Sequence, residues 1–352
     1  MNRRRLLATL AMAGTGIAVG CAVSRGQNGG PGWRGVKTDH FDGEYFFNPH
    51  GPTGNTFVNF LKWQRSRRMG QWPERMNDNL PARLPGRIGE AEGYVTAVNH
   101  CTFLIQLPGL NLLTDPVYSE RVSPFSFAGP KRIRPPGIPW DALPRIDAVV
   151  VSHSHFDHLD LATLEELHLR FRPKFITSLG NRELLESRGI RDVEELDWWQ
   201  ASSAAALAAR ITLTPAQHWS SRNLIVKNTT LWGGFWIENE RRRIYFAGDT
   251  GLGRDFGLIR ERLGVPDLAL LPIGAYEPRW FMSGSHLAPD DAIRARDELG
   301  RPRCLGMHFD TFQLADESYG AAERELFAAR EAAEVSPAQF HAPTAGETTL
   351  VA

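Results

Sequence analysis

The chain has 352 residues, of which 42% are hydrophobic and 23% are charged, and it contains 10 Trp and 19 Phe. This composition supplies enough apolar surface for one large or two small folded domains and excludes a disordered or fibrous chain. Basic and acidic residues number 40 each. Since nucleic-acid binding requires a basic excess, we expect no nucleic-acid partner.

The first twenty residues have the features of an export signal. Arg3, Arg4 and Arg5 precede an uncharged stretch of small and apolar residues that ends at Gly20. This stretch is shorter than the roughly 20 residues of a membrane span, as in a cleaved signal. The arginines resemble a twin-arginine signal, and Cys21 resembles the lipidated cysteine of a bacterial lipobox. We therefore predict export to the periplasm or the outer face of the cell envelope, with a lipid anchor at Cys21.

Residues 21–55 are rich in glycine, proline and asparagine, and this composition predicts a linker between the signal and a folded domain over residues 56–352. The next segment, FVNFLKWQRSRRM, places apolar residues near helical spacing. We interpret it as a surface helix that caps the core, in preference to a helix that lies on a membrane.

From residue 94 onward the chain consists of short apolar and β-branched runs separated by turns, with helical stretches between them. The predicted strands are YVTAV, CTFLIQL, LNLLTDP, IDAVVVS, KFITSL, RITLTPA, LWGGFWIE, RRIYFAGD, DLALLPIG and RCLGMHF, and the predicted helices are LATLEELHLRF, DDAIRARDEL and AAERELFAAREAA. Many strands with interspersed helices predict a layered α/β domain. Cys101 and Cys304 lie in such runs, so we expect buried free thiols.

One predicted strand runs directly into SHSHFDHLD, which carries four side chains able to bind a metal. In an extended loop His153 and His155 project to the same side, whereas Asp157 and His158 follow near a helix that Asp160 can cap. This loop can therefore serve two adjacent metal positions. Imidazole and carboxylate ligands without a thiolate suit zinc, manganese or iron in a catalytic site.

Three further strand ends carry residues of the same kind. These are His218 in TPAQHW, Asp249 in FAGDT and His308 in GMHF. Each follows an apolar run beside small or turn residues, where functional side chains gather in α/β domains. We therefore expect these three residues to complete the metal site.

The SHSHFDHLD motif, followed in order by His218, Asp249 and His308, resembles the metallo-β-lactamase-fold hydrolases. The resemblance implies an α/β fold, a four-layer αβ/βα sandwich, with two divalent metal ions, most simply Zn²⁺, at one edge of its two sheets. It also assigns the ligands: His153, His155 and His218 to one metal; Asp157, His158 and His308 to the other; and Asp249 as the bridge.

A narrower resemblance, to the N-acylphosphatidylethanolamine-hydrolysing phospholipase D group, extends from about residue 94 to 320. It is carried by NHCTFLIQLPGLNLLTDPVYSE, TPAQHWSSR, IYFAGDTGLG, DLALLPIGAYEPRWFM and MHFDTFQLADE. This likeness implies that His286 lines the active site and that His100 supports the metal ligands from behind. Trp219, Tyr276 and Trp280 are then expected beside the substrate.

Two metals can activate a water and clamp the phosphoryl oxygens of an in-line displacement, so a phosphodiester is a reasonable substrate. The first hypothesis is therefore hydrolysis of N-acylphosphatidylethanolamine to phosphatidic acid and an N-acylethanolamine, with Asp157, Asp249 and His286 as catalytic residues. The alternative is a metal-dependent lactonase or small-ester phosphodiesterase, and the third is a metal-binding module without turnover. Expected partners are a phospholipid substrate and, through the anchor, a membrane surface; a homodimer is compatible with these features.

Overall fold

A computed structural model describes residues 30–351, except 53–54, 81, 86–87, 90–91, 205 and 223–225. The predicted export signal and Cys21 lie outside the described residues.

One mixed sheet has seven strands in the order β13-β1-β2-β3-β4-β5-β6. Its strands are β1 (Gly93–Asn99), β2 (Thr102–Leu107), β3 (Leu110–Thr114), β4 (Ala148–Val151), β5 (Lys174–Ser178), β6 (Val193–Leu196) and β13 (Thr348–Val351). The four strands from β13 to β3 pair antiparallel, and those from β3 to β6 pair in parallel.

The second sheet has six strands in the order β12-β11-β10-β9-β8-β7. Its strands are β7 (Arg210–Thr214), β8 (Gly234–Glu238), β9 (Arg243–Phe246), β10 (Leu268–Pro272), β11 (Arg303–Met307) and β12 (Phe340–His341). It repeats the plan of the first sheet, since β7 to β9 pair antiparallel and β9 to β12 pair in parallel.

Helices flank the two sheets. They are α1 (Phe57–Ser66), α2 (Leu161–Phe171), α3 (Arg182–Glu186), α4 (Asp255–Leu263), α5 (Arg279–Met282), α6 (Pro289–Glu298) and α7 (Ala321–Ala332). Thr56 and Asp160 cap α1 and α2 because each side chain accepts a hydrogen bond from a backbone N–H of the first turn. The predicted four-layer αβ/βα sandwich is confirmed, and the predicted helix in FVNFLKWQRSRRM is α1.

The side chains of strand β4 are divided between two hydrophobic cores. Ala148 and Val150 belong to the main core between the two sheets, whereas Val149 and Val151 pack in a second core with residues of α2. Alternate side chains of a strand point to opposite faces of the sheet, so an uninterrupted apolar run is buried on both sides. This arrangement directs the end of β4, and the histidine loop after it, to one edge of the sandwich.

The predicted linker is wrong for the part of it that the structure describes. His40, Phe41 and Phe46 are buried, Phe41 forms an antiparallel bridge with Phe46, and both phenylalanines belong to the main core. Asn48 donates a hydrogen bond of 2.9 Å to the backbone oxygen of His218. Glycine and proline suggested a flexible tether, but the aromatic residues among them bury enough apolar area to hold the segment against the domain.

The two cysteines within the described residues, Cys101 and Cys304, are buried free thiols, as predicted. Within the same residues no helix has the length and hydrophobicity that crossing a membrane requires.

Candidate metal centre

Loops after β4, β7, β9 and β11 bring all seven predicted metal ligands to one edge of the sandwich. In two groups of four the donor atoms lie within 4.8 Å of one another: His153, His155, His218 and Asp249 form one, and Asp157, His158, Asp249 and His308 form the other. Asp249 belongs to both groups. The arrangement therefore has room for two cations that share one carboxylate.

In the first group the ring nitrogens converge on one point. His153 Nε2 and His218 Nε2 lie 2.7 Å and 3.2 Å from His155 Nδ1. Asp249 Oδ2 lies 4.0 Å from His153 Nε2 and 3.7 Å from His218 Nε2. Three imidazoles and a carboxylate are a donor set that zinc accepts in catalytic sites.

In the second group two carboxylates face two imidazoles. His158 Nε2 lies 3.3 Å from Asp157 Oδ2 and 3.2 Å from Asp249 Oδ2. His308 Nε2 lies 3.3 Å and 3.0 Å from the same two oxygens. This set carries more negative charge than the first, so it suits a harder cation or one with an additional water.

A tight turn brings Asp249 between the groups. Gly248 has a φ of +60°, and a Cβ there would lie 2.8 Å from the backbone oxygen of Gly233 and 3.0 Å from the Ser152 side chain. Only glycine meets both demands without strain. The strand β9 can therefore end and present its carboxylate at the junction.

The rear nitrogens of three of the histidines are bonded to oxygen acceptors, and this holds the rings in place. His158 Nδ1 donates to Asp115 at 2.6 Å, and His218 Nδ1 donates to the backbone oxygen of Ser285 at 2.9 Å. His153 Nδ1 lies 2.8 Å from Ser152 Oγ, whose hydroxyl donates to Asp115. In the neutral ring, a proton on Nδ1 leaves Nε2 with a lone pair that faces the site, which is the tautomer a metal ligand needs.

Burial sets the charge of the first group. It lowers the pKa of His155 and of His218 to about 3 and holds that of His153 well below its usual range. These rings are therefore neutral at physiological pH. For Asp249, burial alone would raise the pKa, but His158 and His308 outweigh it and hold that pKa well below its usual range.

Several buried polar atoms of the cluster lack a hydrogen-bond partner within the described chain. Those that face the cluster are His158 Nε2, His286 Nδ1 and Asp249 Oδ1. Buried polar atoms are nearly always satisfied, so a concentration of such atoms around one point calls for a ligand. The residues therefore fit a pair of divalent metal ions.

His100 and His286 lie next to the ligands. His100 is buried, and its Nε2 lies 3.0 Å from Asp157 Oδ2, the oxygen that also faces His158 and His308, so it helps to hold that ligand in place. His286 Nδ1 lies 3.9 Å from Asp249 Oδ2, and the ring lines the cavity above the cluster. Burial lowers the pKa of His286 to about 3. A neutral ring offers one N–H donor to a substrate oxygen.

The cluster opens into a cavity of about 320 Å³. Its polar lining includes Asp157, Asp249 and His286, and its apolar wall is formed by Phe60, Trp63, Val122, Phe156, Phe281, Met282 and Leu314. Trp219 lines the cavity as expected and packs against His155 with ring centroids 4.2 Å apart. The Lys227 ammonium lies 4.4 Å from the centre of the Trp219 ring and brings a cation to the lining.

Two of the residues predicted beside the substrate, Tyr276 and Trp280, are not in the lining of this cavity. Tyr276 is 1% exposed and belongs to the main core, because the chain turns at Ala275 with a φ of +58°. Ala275 lines the cavity instead. Trp280 is 47% exposed on the outside of α5, where the Lys62 ammonium lies 4.8 Å from its ring centre, and its neighbour Phe281 lines the cavity.

Three residues that the sequence analysis did not assign are connected to the site. Asp115 holds His158, and Lys227 lies in the cavity wall. Buried Arg222 donates to the backbone oxygens of Ser154 and Leu159 at 2.9 Å and 2.8 Å, which ties the two ends of the histidine loop together. The polar end of LNLLTDP was the available signal for Asp115, since it follows a buried strand as the ligands do.

Comparison with known families matches one family to the part of the chain that carries the site. Residues 110–309 match the Beta-lactamase superfamily domain. This range contains all seven ligands, Asp115 and His286.

Two relatives are enzymes of phospholipid hydrolysis. The chain is 39% identical over 251 residues to N-acyl-phosphatidylethanolamine-hydrolyzing phospholipase D 1 of Caenorhabditis elegans, a match that covers 68% of this chain and 70% of the relative. It is 37% identical over 247 residues to the mitochondrial N-acyl-phosphatidylethanolamine-hydrolyzing phospholipase D of Saccharomyces cerevisiae. That match covers 67% of this chain and about half, 52%, of the yeast protein.

Among solved structures, Igni18, a metallo hydrolase from the archaeon Ignicoccus hospitalis, superposes with a TM-score of 0.55 at 23% identity. The match covers 74% of this chain and 98% of Igni18. At this identity the likeness concerns the fold alone.

Proposed function

The chain belongs to the metallo-β-lactamase superfamily and is a metal-dependent hydrolase, and on this premise we propose that it hydrolyses N-acylphosphatidylethanolamine. In the proposed reaction water breaks the phosphodiester bond on the head-group side. The products are phosphatidic acid and an N-acylethanolamine.

The observation that carries the proposal is the two-sided cavity. One end holds the His and Asp donors, and the wall beside it is apolar, from Phe60 and Trp63 to Leu314. A lipid phosphodiester has the same division, since its charged phosphate lies next to long acyl chains. Apolar pockets with a few polar groups orient their ligands in this way.

The chain's own residues have defined tasks in this reaction. The neutral His286 ring is placed to donate a hydrogen bond to a phosphoryl or leaving-group oxygen. Lys227 places a positive charge in the cavity lining, where it can attract the substrate phosphate. The Trp219 ring packs beneath the Lys227 ammonium. Partial burial lowers the pKa of Lys227, and no ion pair joins it to a carboxylate of the described residues.

The two donor groups would hold two divalent metal ions, for which we propose Zn²⁺. Bound there, the ions would supply a water of lowered pKa and positive charge at the phosphoryl oxygens. Asp249 would fix their separation, and Asp157 and the five histidine ligands would complete the donor sets.

A panel of lipids and soluble esters, with products identified by mass spectrometry, tests the proposal. We expect phosphatidic acid and N-acylethanolamine from the zinc-loaded protein and more than about 100-fold less of both from Asp249→Asn. In ¹⁸O-water, attack at phosphorus places the label in phosphatidic acid, whereas attack at carbon places it in the ethanolamide.

Three results would contradict the proposal. Label in the ethanolamide would refute attack at phosphorus. Efficient opening of a lactone without lipid turnover would favour the alternative hydrolase. Stoichiometric metal binding without turnover of any ester would favour a metal-binding module.

A further inference from the structure

One face of α1 carries apolar and basic side chains into the solvent. Val58, Leu61, Lys62 and Arg65 follow the spacing i, i+3, i+4 and i+7, so they form a single stripe along the helix. Val58 is 73% exposed and Leu61 is 45% exposed. The opposite face is packed, since Trp63 is buried and its ring stacks on Phe281 with centroids 4.8 Å apart. The exposed stripe is therefore not part of the core: α1 packs on the domain through one face, as the sequence predicts, and presents a second face to the solvent.

A second exposed apolar group lies in the loop of residues 121–131. Phe125 is 54% exposed and Phe127 is 80% exposed, and their rings lie 5.6 Å apart. Arg121 and Lys131 form an antiparallel bridge at the base of this loop, so the two rings are at its tip. Adjacent exposed phenylalanines are unusual on a protein surface unless they bind something.

Both segments border the mouth of the metal cavity. Phe60 and Trp63 of α1 line it on one side, and Val122 from the base of the loop lines it on another. Leu314 packs against the cluster that contains Trp63 and against the cluster that contains Val122, and so connects the two segments. The exposed apolar side chains thus occur on two borders of the opening through which a substrate must enter.

The charge of the two segments has one sign. No aspartate or glutamate occurs from residue 45 to 73 or from residue 121 to 140, although these ranges contain four basic residues each. Three of the eight form ion pairs with residues outside the ranges: Arg67 with Asp316, Lys131 with Glu120 and Arg134 with Asp78. Lys62 and Arg65 are exposed on the stripe itself. A surface with protruding apolar residues and surrounding cations is complementary to the head-group region of an anionic lipid bilayer.

We propose that the α1 stripe and the Phe125–Phe127 loop together form the surface by which this protein docks onto an anionic phospholipid bilayer, with the cavity mouth facing the lipid. The inference rests on the proposed function for the choice of a bilayer as the occupant. It differs from the predicted anchor at Cys21, because an anchor holds the chain near a membrane without orienting the cavity.

The test measures contact with lipid and does not depend on turnover. An environment-sensitive dye is attached to the full chain carrying Cys21→Ser and Phe127→Cys, since buried Cys101 and Cys304 are protected from labelling. The matched control carries Leu169→Cys on α2, where the native side chain is 76% exposed. Vesicles of phosphatidylcholine with about one third phosphatidylglycerol are compared with phosphatidylcholine alone.

We expect a blue shift at position 127 with the anionic vesicles, a weaker one with the neutral vesicles, and none at position 169. Lys62→Gln and Arg65→Gln should each weaken vesicle binding about fivefold. Phe125→Ser with Phe127→Ser should weaken it more than about tenfold, whereas Phe327→Ser on α7 should not.

Hydrolysis of a soluble phosphodiester such as bis(p-nitrophenyl) phosphate should remain unchanged in the loop variants. An unchanged dye signal at position 127, an equal shift at position 169, or equal binding to both vesicle types would overturn the docking surface. Loss of the proposed function would appear separately, as absence of phosphodiester turnover by a protein that still docks.

Discussion

Asp115 and His158 are 43 positions apart in the chain, yet His158 Nδ1 donates to Asp115 Oδ2 at 2.6 Å, and both side chains are fully buried. Asp115 also accepts from the backbone N–H and the hydroxyl of Ser152, which precedes the histidine loop. This carboxylate from the end of β3 therefore orients the loop from behind.

Replacing Asp115 by Asn should weaken metal binding by about 10–100-fold, because groups that orient metal ligands have effects of this size. Competition with a chelator measures the affinity, and activity should return at higher zinc concentration. Asp192→Asn is the matched control, since that side chain is 59% exposed and pairs with Lys174 at the surface. Equal metal affinity in the two variants would exclude Asp115 from this role.

The purified protein should bind two divalent metal ions per chain, because the two donor groups together exceed what one tetrahedral zinc can use. Elemental analysis after mild zinc loading measures the number, and a plateau at one equivalent would contradict it.

Asp249→Asn should reduce activity more than about 100-fold, the upper end for residues that merely support ligands. His168→Ala on α2 should have little effect.

Replacing Lys227 by Gln should raise KM for an anionic phosphodiester about tenfold with little change in kcat. A hydrogen bond to a charged group contributes about 1.5–3 kcal/mol, and Lys227 would contribute it to the substrate and the transition state alike. Steady-state kinetics on a soluble diester separate the two constants. Lys174→Gln is the control, and a fall in kcat at constant KM would contradict the assignment.

The stability of the protein should contain a contribution from His40 that disappears as the pH rises. His40 Nδ1 lies 2.6 Å from Asp39, and Nε2 lies 2.7 Å from Asp197. Only the protonated ring can donate to both carboxylates. Burial lowers the pKa of His40, but the hydrogen bonds to Asp197 and Asp39 outweigh burial and raise it above its ordinary value.

A raised folded-state pKa means that the contribution is complete below about pH 6.5 and is lost as the pH passes the folded-state value. Urea unfolding of the wild type and of His40→Gln between pH 6 and pH 9 measures it. The free energy of unfolding of the two proteins should differ most at the lower pH. A difference that is constant across this range would show that His40 contributes only packing.

Export and lipidation remain a proposal that concerns residues outside those described. If Cys21 carries a lipid, Cys21→Ser should shift exported protein from the membrane fraction towards the soluble one while activity on a soluble diester is retained. Cell fractionation with immunodetection measures the distribution. An unchanged distribution, with no acyl group on a peptide containing Cys21, would reject lipidation.

The local sequence alone predicted the strands of both sheets that end at metal ligands. It also predicted which residue types bind the metals. Apolar runs end where the chain leaves the core. A polar side chain directly after such a run must therefore lie at the edge of the sheet. This is why SHSHFDHLD, His218, Asp249 and His308 could be assigned to one edge before the fold was known. The short edge strands β6, β12 and β13 were missed, because they are defined by pairing with distant strands and not by their own pattern.

Only the tertiary structure decided what surrounds the ligands. Whether Tyr276 faces the cavity or the core depends on the turn at Ala275, and whether residues 38–48 form a tether or a covering depends on a sheet surface far away in the chain. The same holds for Asp115, which reaches His158 because β3 and β4 pair in parallel and end together. Donor chemistry is a property of single residues, but orientation and burial are properties of contacts between segments, and these exist only after the chain has folded.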